Sequence, residues 1–134
     1  MLTGGCLCGA VRYEAGGTPY HAVICHCSMC RRAAGAPVVA WFSVARADFR
    51  FTAASPAAYC SSGHATRRFC ARCGTQLTFE SDRHPAEIDV TTATLDDPEM
   101  VPPADHVHDG TRLSWVRVSD GLPRYSNARP GGEG

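Results

Sequence analysis

The placement of the cysteines restricts this chain more than any other feature. Seven of the eight fall into three tight clusters, Cys6-x-Cys8, Cys25-x-Cys27-x2-Cys30 and Cys70-x2-Cys73, and only Cys60 stands apart. Three thiols within CHCSMC are too close to read as an ordinary disulfide framework. Eight cysteines in 134 residues instead point to metal or redox chemistry in a reducing compartment. Zinc takes four ligands in a tetrahedron, and the outer clusters each offer half of one. Cys6 and Cys8, at i and i+2 of an extended segment, aim at the same face. Cys70-Ala71-Arg72-Cys73-Gly74 is a zinc-knuckle sequence in which Gly74 supplies the positive φ that bulkier residues resist, and Gly9 after Cys8 serves a similar end.

Two halves make a closed site, so spacing assigns Cys6, Cys8, Cys70 and Cys73 to one structural zinc whose binding contributes folding free energy. A competing partition joins Cys70 and Cys73 to two thiols of the middle cluster and leaves Cys6 and Cys8 half-used. In the first partition Cys25, Cys27 and Cys30 grip a second zinc with three ligands, which keeps a position for water or substrate. Cys60, His64 or His26 could instead close that tetrahedron. His26, on an extended segment between two ligands, is expected to face the other way, and Cys60 reads as a buried small hydrophobe. Three thiolates outweigh the charge of a divalent ion, so such a centre acidifies water weakly. It suits an incoming thiol, held as thiolate, better than hydrolysis.

Around the clusters, alternation of apolar and polar residues predicts short strands at VRYEA, HAVI, VVAWFSV, DFRFT, TQLTFE and EIDVTTATL, separated by Gly-, Pro-, Ser- and Asp-rich turns. Only Ser28 to Ala34 reads as a helix, with Ser28 as N-cap and Gly35 as stop. The expectation is an all-β sandwich or open, tent-like pair of sheets, a single domain over 1–125, and a disordered tail over 126–134. Lysine plus arginine and aspartate plus glutamate both total 13, which argues against a polyanion partner such as nucleic acid. No segment approaches the ~18–20 apolar residues of a membrane span. The N-terminal residues lack a secretory pattern, and a cytoplasmic protein is expected. No glycine-rich nucleotide loop, serine–histidine–acid signature or distinctive carboxylate pair is present.

GGCLCGAVRYE, CHCSMCRRAAGAP and RRFCARCGTQL, in that order, resemble the glutathione-dependent formaldehyde-activating enzyme family, which includes centromere protein V. TLDDPEMVPPADHVHDGTRLSWV and DGLPRY extend the resemblance to about residues 3–125. The resemblance implies a β-tent of two antiparallel sheets with two zinc sites. Cys6, Cys8, Cys70 and Cys73 match its structural ligands, and Cys25, Cys27 and Cys30 match the ligands of its catalytic zinc. It also implies condensation of glutathione with formaldehyde to S-(hydroxymethyl)glutathione, a carbon–sulfur lyase activity. Ser114 departs from the pattern, where proline is common, and Cys60 belongs to none of its clusters.

Arg31 and Arg32, following the second cluster, are candidates to pair with the carboxylates of glutathione, against the alternative of a solvated helix face. Arg67 and Arg68 read as strand-surface charges. His106 and His108 share a face of a short extended segment and read as an ordinary polar strand, with a proton relay or metal pair as the alternative. Trp41 and Trp115 suit either an apolar pocket or the core. Two rival functions stand beside the enzyme: a non-catalytic zinc-stabilised interaction module, and redox sensing by the middle cluster. A homodimer is compatible with the sequence.

Overall fold

Alternating side chains rather than long apolar runs build the chain, and the computed structural model describes residues 1–130 as two β-sheets and one short α-helix. In chain order the elements are β1 (Leu2–Gly5), β2 (Arg12–Ala15), β3 (Tyr20–Cys25), α1 (Ser28–Ala34), β4 (Val39–Ala45), β5 (Phe49–Phe51), β6 (Ala57–Cys60), β7 (Ala65–Phe69), β8 (Gln76–Ser81), β9 (Glu87–Thr91) and β10 (Asp105–Val107). The small sheet runs β1-β2-β5 and the large one β10-β3-β4-β9-β8-β7-β6. Pairing is antiparallel except at the edge, where β10 lies parallel to β3, a departure from two wholly antiparallel sheets. A parallel neighbour needs a long crossover, and the chain between β9 and β10 provides the return.

Each strand of the large sheet splits its side chains between two faces. Phe42, Val44, Ile88 and Val90 point toward the small sheet and pack with Val11, Tyr13, Ala15 and Leu77 in the main core. Phe42, Val44, Leu77 and Val90 are fully buried. Tyr13 stacks on Phe49 at 5.4 Å between ring centroids, and Phe49 meets Phe51 edge-on at 5.0 Å, so aromatic side chains close the small sheet over this core. The opposite face carries Val23, Cys25, Trp41 and Val107 in a second apolar cluster with Cys30 and Val39.

Several expectations shift by a few residues. EIDVTTATL is strand only through Thr91; a 3-10 turn takes Thr92–Thr94, where the Thr94 hydroxyl donates back to the Thr91 carbonyl at 2.8 Å. The helix is capped by Cys27 rather than Ser28, the Cys27 Sγ accepting from the Cys30 amide at 3.3 Å. Gly35 ends it in the left-handed conformation with φ 62°. Residues 126–130, expected to be disordered, are held to the domain: the Asn127 carbonyl accepts from the His108 amide at 2.9 Å, and Arg129 pairs with buried Asp105. Backbone bonds and one buried carboxylate anchor this segment. Residues 131–134 of that tail lie outside the described residues.

β1 meets the core through a glycine. A Cβ on Gly4 would stand 2.4 Å from both the Thr94 carbonyl oxygen and the Tyr13 Oη, two positions fixed by packing. Gly4→Ala is expected to cost about 1–3 kcal/mol in urea unfolding, as overpacking does elsewhere, with zinc content unchanged. Nearby, Arg12 grips Asp96 (Nη1 to Oδ1, 2.9 Å) and the Thr3 hydroxyl donates to the same carboxylate at 2.7 Å. Arg12 first and Thr3 second hold the Asp96 carboxyl down at about 2, from an ordinary 3.8. A lowered folded-state value means the contribution is present above the ordinary value and is lost as pH falls toward 2. In Arg12→Ala the Asp96 titration midpoint, followed by carboxyl NMR, should rise toward 3.8.

Candidate metal centres and their cavity

All eight cysteines are free thiols, and seven of them assemble into the two groups that spacing separates. The sulfurs of Cys6, Cys8, Cys70 and Cys73 lie within 4.8 Å of one another. A tetrahedron of Zn–S bonds of about 2.3 Å sets sulfurs about 3.8 Å apart. The measured Cys6–Cys8 and Cys8–Cys70 separations are 3.5 and 3.7 Å, so the residues present fit such an ion. The competing partition, with Cys70 and Cys73 joined to the middle cluster, is not the arrangement found.

Two similar turns bring these sulfurs together. Gly9, at φ 80°, closes the first with its amide on the Cys6 carbonyl at 3.1 Å; Gly74, at φ 83°, closes the second with its amide on the Cys70 carbonyl at 2.8 Å. Cys6 and Cys8 therefore converge through a turn after β1 rather than along an extended segment. Backbone amides then point at sulfur: Val11 to Cys6 at 3.3 Å, Arg72 and Cys73 to Cys70 at 3.4 Å. The Thr75 hydroxyl and amide, with the Cys8 backbone, bring the Cys73 thiol down to about 5. Donors aimed at sulfur favour the thiolate, the form a metal binds.

Cys25 ends β3, Cys27 caps α1, and Cys30 sits in its first turn, so a strand end and a helix start place three sulfurs within 4.8 Å. Three thiols this close cannot all ionise unaided. Proton sharing lowers Cys27 to about 2, chiefly through Cys25, and raises Cys25, chiefly through Cys27. A divalent cation among them removes that conflict, which makes the donor set a fit for zinc. Among the described residues no fourth side chain joins this group. Cys60 is exposed on β6, so it is neither a ligand nor the buried hydrophobe expected. His26 turns away, as expected. Its Nε2 lies 2.8 Å from His106 Nδ1, and His106 Nε2 lies 2.7 Å from Asp120 Oδ2. Both rings are fully buried. With the carboxylate accepting from His106 Nε2–H, His106 Nδ1 accepts in turn and His26 Nε2 donates. Burial lowers the His26 pKa, favouring the neutral ring that this chain requires. The segment between Cys25 and Cys27 is thereby pinned from behind.

The three-thiol group opens into a cavity of about 380 Å3, which also touches Val23, Trp41, Phe79, Val107 and Arg67. Strand register explains the wall. Ser43, Asp89, Phe79 and Arg67 are successive partners across β4, β9, β8 and β7, and Val23 pairs with Trp41 one step along. These side chains share the face of the large sheet that the main core leaves unused. Trp41 meets Phe79 edge-on at 6.3 Å.

The remaining candidates divide. Arg31 donates to the His26 carbonyl at 2.8 Å and the Thr111 carbonyl at 2.6 Å, and with Arg32 it borders a separate shallow groove beside exposed Trp115. Neither arginine lines the cavity beside the thiols. His106 is buried in its relay, whereas His108 takes a left-handed φ of 52° and borders the cavity, so the pair does not act as one polar face. Arg68 pairs with Glu80. Arg67 is not a surface charge: it is 6% exposed and stands beside Cys30. Its alternation with Ala65 and Phe69, read as period two, would have placed it on the inward face.

A family model for the glutathione-dependent formaldehyde-activating enzyme matches residues 1–110. Among solved structures, a crystal structure of a Rhodobacter sphaeroides protein, a structural-genomics target, is similar at 26% identity and a TM-score of 0.57. The alignment covers 92% of this chain and 98% of that one. The chain belongs to the glutathione-dependent formaldehyde-activating enzyme family.

Native mass spectrometry of the purified protein should find two zinc ions per chain. Cys70→Ser should lose one and several kcal/mol of stability, because an ion held there would join segments 62 residues apart. Cys30→Ser should lose the other ion while retaining cooperative unfolding.

Proposed function

We propose that this family member is a zinc-dependent enzyme of the carbon–sulfur lyase class. It takes a small thiol such as glutathione into the cavity beside Cys25, Cys27 and Cys30 and joins its sulfur to formaldehyde or another aldehyde. The observation that carries this reading is the asymmetry of the two sulfur groups: four thiols close on one another, whereas three open onto a cavity. A zinc ion held by the three thiols would supply a position that favours the deprotonated form of an incoming thiol.

The chain's own residues supply the remainder. Val23, Trp41, Phe79 and Val107 exclude water from one side of the cavity, which keeps a thiolate poorly solvated and reactive. Arg31 and the His26–His106–Asp120 relay hold the ligand-bearing turn in place. In the reaction the S–C bond forms as the carbonyl π bond opens, and the thiol proton ends on the new hydroxyl. Formaldehyde is electrophilic enough that holding the partners together accounts for most of the acceleration, without a dedicated general base. A cytoplasmic location suits eight unpaired thiols.

The test is exchange NMR of formaldehyde and glutathione with the zinc-loaded protein at catalytic concentration. The adduct should form faster than without protein, with at least about 100-fold loss of the enzymatic rate in Cys30→Ser and none in Cys60→Ser. Thiol binding without acceleration would leave a binding module in place of an enzyme.

A further inference from the structure

A buried arginine is ordinarily matched by a carboxylate. Arg68 has Glu80, and Arg129, which borders the same cavity, has Asp105. Among the described residues no ion pair joins Arg67 to an acid. Its Nη1 and Nη2 lie 3.9 and 3.8 Å from Cys30 Sγ, and its Cζ lies 5.0 Å from the centre of the Phe79 ring. Both arms of the planar fork thus address one sulfur. A neutral thiol is a poor acceptor and gives a desolvated guanidinium little in return, whereas a thiolate offers a charge-assisted bond. The ring below adds a cation–π contact that holds the group in position.

Charge then decides what the cavity admits. Three thiolates around a divalent ion leave one negative charge in excess, and Arg67 cancels it. A further anion can approach this neutral assembly, but without Arg67 it would meet net repulsion across apolar walls, where screening is weak. A neutral ligand gains nothing from the guanidinium. The acid on the cavity wall, Asp89, lies on the sheet row beyond Phe79 and accepts from the Ser43 hydroxyl at 2.6 Å.

We infer that Arg67 is a specificity-determining residue of the three-cysteine centre: by neutralising the thiolate cluster at Cys30 it selects an anionic, thiolate-type ligand in the cavity over a neutral one. This rests on the cavity being a thiol site, as proposed above. It assigns to a side chain outside the metal ligands the choice between thiol and neutral partners.

The experiment uses the full chain with cobalt in the three-cysteine centre and follows ligand binding by the visible spectrum of the ion. Two probes separate charge from fit: 2-mercaptoethanol, whose only anionic group is its thiolate, and imidazole, which binds neutral. In Arg67→Met the affinity for 2-mercaptoethanol should fall at least about tenfold, while that for imidazole stays within about twofold. Arg67→Lys should restore most of the thiol affinity. If Arg67→Met does not fold, Arg67→Gln removes the charge while keeping donors, and the same split is expected. Equal losses for both probes, or no loss for either, would overturn the inference. Wild-type protein that binds imidazole but no thiol would overturn the proposed function and this inference with it. Wild-type thiol binding with unchanged Arg67→Met and Arg67→Gln would overturn the inference alone.

Discussion

Sulfur crowding is the constraint on which this structure turns. Four thiols from two distant turns lie close enough that a proton or a cation must mediate between them. The same holds for three more at the junction of β3 and α1. An all-β domain of short strands has modest area to bury, and the larger sheet gives only one of its faces to the main core. The four thiols gathered at the end of β1 and in the turn between β7 and β8 could hold a metal ion there, which would add cross-linking to the limited core. Cys6 and Cys70 are part of that core as well as of the four-thiol group, so the candidate metal site and the apolar packing are one unit.

The second sulfur group solves a different problem. It sits on the opposite face, where the sheet would otherwise expose Val23, Trp41 and Val107 to water. α1, seven residues long, could not fold alone. Its start is fixed by Cys27, the Arg31 side chain donates to the Thr111 carbonyl, and the histidine relay stiffens the turn before it. A short helix held in this way covers one side of the cavity and leaves the other open.

The cysteine partition, the predominance of strands, the single helix and its glycine stop were all legible from spacing and period. What escaped the sequence was whatever depended on partners far away in the chain. The parallel pairing of β10 with β3 has no local signal, because three residues set their direction through the crossover alone. His106 looked like a polar strand residue because its partners, His26 and Asp120, lie on separate segments. Arg67 looked exposed because arginine usually is; only its alternation with Ala65 and Phe69 hinted otherwise. Cys27 displaced Ser28 as helix cap because a sulfur already held in a cluster is pre-positioned for the Cys30 amide.

The alternation along the large sheet has a consequence for how such a protein can change. In β3, β4, β7, β8 and β9 the cavity takes Val23, Trp41, Ser43, Arg67, Phe79 and Asp89, while the main core takes Phe42, Val44, Ile88 and Val90. In β4 and β9 the cavity-facing residues are the odd ones and the core residues the even ones, whereas β8 gives Leu77 to the main core and Phe79 to the cavity. Inheritance can therefore rewrite the first set while leaving the second intact, and a mutant library confined to those cavity-facing residues, sparing Leu77, would explore new chemistries on an unaltered scaffold.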